Sequence, residues 1–152
     1  MVTALQPPGW PRPKGYANGV TARGRMVFVA GMIGWDADQR FHTDDFGGQA
    51  RQALANIVAV LEAGGARPQH LVRLTWYVTD KREYLAALPE IGRAFRELIG
   101  HYDIAMTAVQ VAASPRDGQT HGLHALMLAY TGKKAEAIAE AKQAVELATP
   151  GG

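Results

Sequence analysis

Between residues 71 and 79 the side chains alternate with period two, and this alternation constrains the fold most. Val72, Leu74, Trp76 and Val78 fall on one face of a strand; Arg73, Thr75, Tyr77 and Thr79 fall on the other. The apolar set packs against helices. The polar and aromatic set has to meet water, a partner or a ligand. Residues 25–31 and 105–112 read as strands that are apolar on both faces, which needs cover on both sides. Residues 17–22 make a further short strand, with Gly24 as a turn residue before the next one, and a short strand is possible at 40–42.

Between these runs the period changes to that of a helix. Phe46, Ala50, Ala53, Leu54, Ile57 and Leu61 recur at three- and four-residue spacing, behind a capping Asp44 or Asp45. Gly64 and Gly65 end that helix. Tyr84, Leu88, Ile91, Phe95 and Leu98 have the same spacing, but Pro89 interrupts them. Proline lacks the backbone donor, so a short turn followed by a helix with Pro89 near its first position is expected. Residues 121–130 read as a final strand, and residues 133–148 as a helix with a thin stripe of Ile138, Ala141, Val145 and Ala148. Residues 1–15 hold Pro7, Pro8, Pro11 and Pro13 and read as an irregular arm. The expected organisation is an arm over 1–15, a domain over 16–130 and a helical extension over 131–152. The domain is α+β: one mixed sheet with helices on one face, the other face left apolar as in an oligomer interface.

Composition excludes several functions. The chain has 152 residues, the length of one domain, and no Cys, so a disulfide framework, a thiolate metal site and a Cys nucleophile are ruled out. Ser114 is the only serine and stands in no Gly-x-Ser-x-Gly elbow. His121 and His124, three apart on a strand, point to opposite faces and cannot share a metal easily; His42, His70 and His101 are scattered. A net charge of +2 gives no electrostatic case for nucleic acid, and no apolar run is long enough to span a bilayer. No basic flank and apolar core open the chain, so a cytoplasmic protein is expected.

Four segments in colinear order carry a resemblance. They are Gly15-Tyr16-Ala17-Asn18-Gly19-Val20, Val27-Phe28-Val29-Ala30-Gly31-Met32-Ile33, Gln52-Ala53-Leu54-Ala55-Asn56-Ile57 within 49–62, and Thr75-Trp76-Tyr77-Val78-Thr79-Asp80. Over about residues 10 to 113 the chain resembles the reactive-intermediate deaminase family, also called Rid, YjgF or, in older usage, endoribonuclease L-PSP. The resemblance implies a chorismate-mutase-like subunit, a homotrimer with small-molecule clefts between subunits, hydrolysis of imines or enamines to a keto acid and ammonia, and no cofactor.

Position by position, the family's tyrosine falls on Tyr16 and its Gly-Gln-Ile segment on Gly31-Met32-Ile33, with Met in place of Gln. The substrate-clamping arginine of a Pro-Ala-Arg-Ser/Thr stretch falls on Met106, followed by Thr107. A common asparagine falls near Pro89, and the water-positioning glutamate of the last strand falls on His124. The resemblance therefore implies Tyr16 and His124 as the catalytic groups. It implies Gly31, Met32, Trp35, Met106 and Thr107 as the ligand contacts, with backbone donors near Gly31 and Thr107.

A guanidinium holds a carboxylate through two parallel charge-assisted hydrogen bonds, and a thioether offers no donor. Losing such a contact costs about 2–5 kcal/mol. An uncharged or weakly polar imine or carbonyl compound therefore fits better than an imino acid held by its carboxylate. His124 has a second reading as a strand histidine satisfied by a carbonyl, and Tyr16 as a core aromatic. Arg73, Thr75 and Tyr77 read more readily as a polar layer between subunits.

Two further function classes stand beside the hydrolase. One is a non-catalytic trimeric ligand-binding or chaperone-like module. The other is RNA cleavage, which rests only on the older family name and on Arg12, Lys14, Arg23 and Arg25, themselves readable as a solvated surface. Past residue 128 the chain weakly resembles half of a tetratricopeptide repeat, and one such unit cannot bury its own face. An added helix packed on its own trimer, a docking helix and a fusion accident are all open readings, the first preferred.

Overall fold

The computed structural model describes residues 2–111 and 133–148. Strand β1 (Val2–Leu5) pairs antiparallel with β2 (Gly19–Ala22), placing Val2 opposite Ala22 and Leu5 opposite Gly19. Helix α1 (Phe46–Ala63) follows, then one 3₁₀ turn (Pro68–His70) and strand β3 (Arg73–Val78). Helices α2 (Lys81–Ala86) and α3 (Leu88–Leu98) cross over to β4 (Ala105–Gln110), which lies parallel to β3 with Thr75 opposite Thr107. Helix α4 (Lys134–Ala148) ends the described chain.

Local chemistry explains most of these boundaries. Asp45 has extended angles and accepts from the Gly48 amide at 2.7 Å, so α1 starts where the acid satisfies an orphan N–H. At its other end the amides of Gly65 and Ala66 return to the carbonyls of Glu62 and Leu61, both at 2.8 Å, and Gly65 takes a φ of +68°. Asp80 caps α2 in the same way, accepting from the Arg82 amide at 2.7 Å. The proline break is present: Ala87 separates α2 from α3, and Pro89 sits in the first turn of α3, where a missing donor costs nothing.

The core lies between the helices and one face of β3–β4. Leu54 of α1, Ile99 after α3 and Ile104 before β4 are fully buried, and Ile91, Ala94 and Phe95 of α3 close over them. Leu74, Trp76 and Met106 pack against this cluster from the strands. The Phe95 ring stands 4.8 Å from that of Tyr102 and 6.2 Å from that of Trp76, within the range of favourable aromatic pairs. On the opposite strand face Tyr77 and its register partner Val109 are exposed. The alternation across 71–79 thus does what its pattern demands.

Several expectations need correction. The arm is not irregular throughout, because residues before the first proline form β1. Residues 25–31 form no strand; Met26 and Phe28 are 76% and 84% exposed, since this subunit offers no second layer to cover them. The strand expected at 40–42 shrinks to one bridge between Trp35 and Phe41, because Asp36 folds the segment between them into a turn through the amides of Asp38 and Arg40. The stripe on α4 is not its packing face: Ala137 is buried, while Ile138 and Val145 are exposed. Lys133 Nζ reaches Glu83 of α2 at 2.9 Å and fixes where α4 begins.

The sheet itself is realised, among the described residues, as two two-stranded ladders. One parallel bridge links them, in which the Ala17 amide donates to the Ile104 carbonyl at 2.8 Å. The first strand is accordingly shorter than expected, starting at Gly19 rather than residue 17. The expected strand over 121–130 lies outside the described residues.

Candidate functional site

The Ala17 bridge sets the position of Tyr16. It pins the chain beside the start of β4, leaving the preceding phenol 49% exposed, so Tyr16 is not a core aromatic. Tyr16 lines a recess of about 250 Å³ between the N-terminal arm and the segment before β4. Arg12, Asn18, Gln6 and Asp103 line the same recess. Asn18 Nδ2 donates to Gln6 Oε1 at 3.0 Å, and Gln6 Nε2 donates to the Trp10 carbonyl at 2.8 Å. This relay ties the proline-rich arm to the entry of β2. Pro13 also biases Arg12 toward extended backbone angles.

The other expected ligand contacts lie elsewhere in the subunit. Met106 is half-buried and packs on the core side of β4; Thr107 is exposed on the opposite face. Gly31 is exposed and Met32 half-buried in the irregular stretch before α1. Trp35 sits at the base of the Asp36 turn, its ring 6.3 Å from Phe41. Asn56 of α1 holds this stretch, donating to the carbonyls of Ile33 and Trp35 at 3.0 and 2.7 Å, while its own oxygen accepts from Gln52. Gly31, Met32, Trp35, Met106 and Thr107 do not line the recess beside Tyr16. His124 lies outside the described residues.

Two groupings escaped sequence reasoning. The first is Arg12 and Asp103, 91 positions apart in the numbering yet on one recess with Tyr16. Only the Pro-Arg-Pro context of Arg12, next to Gly15-Tyr16, hinted at an ordered cation. The second is the pair His42 Nε2 and Asp36 Oδ2, at 2.6 Å. The amide of Arg40 holds the Asp36 carboxyl below the usual carboxylate range, helped by the His42 hydrogen bond. That imidazole is oriented by the contact, and its side chain is 66% exposed.

A second cavity of about 360 Å³ is lined by Asp44, Asp45, Glu83 and Glu90 together with Phe46, Ala86 and Ala87; Glu83 is paired with Lys133 and Glu90 with Arg93. Among the described residues no group of three His, Asp or Glu side chains could hold a metal, and no helix is long and apolar enough to cross a membrane.

Comparison with known proteins agrees with this architecture. The family model described as Endoribonuclease L-PSP matches residues 11–120. A RutC family protein of Pyrococcus horikoshii is 30% identical over 108 residues, covering 70% of this chain and 82% of the relative. The 2-iminobutanoate/2-iminopropanoate deaminase of Salmonella typhimurium is 31% identical over 102 residues, covering 67% of this chain and 78% of the enzyme. Among solved structures, a Rid family protein of unknown function from Yersinia pestis superposes with a TM-score of 0.58 at 30% identity, covering 75% of this chain and 90% of that one. The YjgF gene product of E. coli superposes with a TM-score of 0.53 at 26% identity, covering 75% and 89%. The fold is the α+β fold of these YjgF proteins.

Proposed function

The chain belongs to the Endoribonuclease L-PSP family, the Rid and YjgF proteins, and from that premise we propose that it hydrolyses a small imine or enamine in a cleft beside Tyr16. Water adds to the imine carbon, a C–O bond forms, the C–N bond breaks, and the nitrogen leaves as ammonia with the protons it gains. The Tyr16 phenol orients the water or donates to the nitrogen. His124 moves the proton between them, as imidazole can near neutral pH.

The observation that carries this reading is the half-exposed phenol held at the recess by the Ala17 bridge. The Salmonella relative's named activity supports the reaction class. Gly31, Trp35 and Thr107 do not line the recess within one subunit. Their participation needs a neighbouring copy, and the cleft is therefore read as lying between subunits of a homotrimer. The uncovered strand face bearing Tyr77 and Val109 supports such packing. No cofactor enters this chemistry.

Met106 cannot clamp a carboxylate, since it lacks a donor and packs against the core. This favours a second reading, a trimeric binding or chaperone-like module without turnover. RNA cleavage gains less, because Arg25 of the basic set is already bonded to the Gly64 carbonyl.

Imines generated in place by an amino-acid oxidase separate the readings. Hydrolysis above the buffer rate that falls at least tenfold in Tyr16→Phe and in His124→Ala is expected. A rate no greater than buffer removes the enzyme, and an unchanged rate in both variants removes the assigned roles.

A further inference from the structure

We infer that the Asn18–Gly19 junction is a covalent modification site, at which Asn18 loses its amide through a cyclic imide, and that the proline-rich arm restrains the reaction. The inference goes beyond the proposed hydrolysis and does not depend on it.

The chemistry lies in two neighbouring groups. The Gly19 backbone nitrogen attacks Asn18 Cγ and gives up its proton; the Cγ–Nδ2 bond breaks, and Nδ2 leaves as ammonia with that proton. Water then adds to one of the two imide carbonyls, and that carbonyl's bond to the Gly19 nitrogen breaks. One opening leaves aspartate. The other leaves isoaspartate, whose main chain is one carbon longer. Glycine in the second position puts no side chain in the path of attack and allows its backbone the widest range of approach.

Three observations carry the inference. Asn18 is exposed, so water reaches it. The fold does not require glycine at position 19: a Cβ there would meet Leu5 Cδ1 at 3.5 Å and Leu5 Cβ at 3.7 Å, both ordinary contacts, and the backbone is not left-handed. The side chain that has to swing is tethered. Its Nδ2 donates to Gln6 Oε1 at 3.0 Å, and Gln6 in turn donates to the Trp10 carbonyl at 2.8 Å. The backbone is held on both sides, by the Ala17 amide on the Ile104 carbonyl and by the pairing of Gly19 with Leu5. Attack therefore waits for a local opening, and the arm sets how often one occurs. Asn56, the chain's other asparagine, lies within α1 before the β-branched Ile57, with its amide on two carbonyls. It serves as an internal control.

The modification undoes its own restraint. A carboxylate at position 18 has no N–H to donate to Gln6 Oε1, so the relay to the arm breaks at its first bond. It also adds a negative charge to the recess that Asp103 lines.

The full chain held in mildly alkaline buffer at body temperature, digested with trypsin and weighed by mass spectrometry, tests this. A gain of one mass unit in peptide 15–23 is expected, slower than in the same free peptide and about fivefold or more faster in Gln6→Ala than in the native chain. Gly19→Ala should suppress the gain, and the peptide carrying Asn56 should stay unmodified. Unchanged thermal melting of Gln6→Ala shows that its faster rate is local. Brief trypsin treatment of the folded chain should cut after Lys14 sooner in Asn18→Asp than in the native chain. No gain in Gln6→Ala while the free peptide converts, equal rates in Gln6→Ala and the native chain, or equal cutting of Asn18→Asp and the native chain overturns the inference.

Discussion

Gly34 shows what a single atom decides in this fold. A Cβ at that position would stand 2.6 Å from Gln49 Cβ and 2.7 Å from Gln49 Cα, so the stretch before α1 lies directly on the helix. Gly34→Ala should cost about 1–3 kcal/mol through overpacking, read as a lower urea midpoint; an unchanged midpoint would mean that this contact yields freely. Asp80 acts through charge instead. Its carboxyl is held down to about 2 by the Arg82 side chain and then by the Arg82 amide. A depressed folded pKa stabilises above the ordinary value of 3.8 and loses that stabilisation as pH falls through about 2. Wild type should therefore melt above Asp80→Asn at about pH 5, and the gap should close toward about pH 2. A gap that does not move with pH would assign the effect to packing. Nothing in the linear chain announced Gly34 or the Arg12–Asp103 juxtaposition, because neither follows a local period.

At the scale of elements, periodicity specifies structure where it has an internal partner. Helix α1, the Pro89 break and the two faces of β3 follow from spacing and capping, since the apolar set of each packs against another part of the same subunit. It misled where the partner is absent from the subunit. The two-sided apolar run at 25–31 stays irregular, with Val27 and Val29 half-buried and Met26 and Phe28 exposed. The α4 stripe also faced the wrong way, because in an Ala-rich helix a small side chain permits the closest approach. Ala137 is 7% exposed and Ile138 57%. Thermal melting should show Ala137→Leu destabilising by about 1–3 kcal/mol and Ile138→Gln changing stability by less than about 0.5 kcal/mol. The reverse order would place the stripe inward after all.

The whole molecule leaves an incomplete surface. Tyr77 is 64% exposed and Val109 40% exposed, adjacent on parallel strands and facing away from the core. If this face packs against neighbouring copies, as the proposed trimer requires, a buried charge there is costly. Light scattering should find three subunits for the native chain and smaller species for Tyr77→Glu. A native chain that runs singly would end the intersubunit cleft. An unmoved trimer in the variant would shift the interface to another face.

The helix starts and stops, the strand with two unlike faces, the proline break and the family are all written in the order of residues, because caps, breakers and alternation act between neighbours in the chain. Its chemistry at Tyr16 was legible only as a phenol of unknown exposure. Folding sets the rest: Ala17 bridges to Ile104, Met106 turns toward the core, and Arg12 and Asp103 share a recess with Tyr16. Such contacts join segments far apart in the chain, and only the folded path of the backbone sets the distance between them.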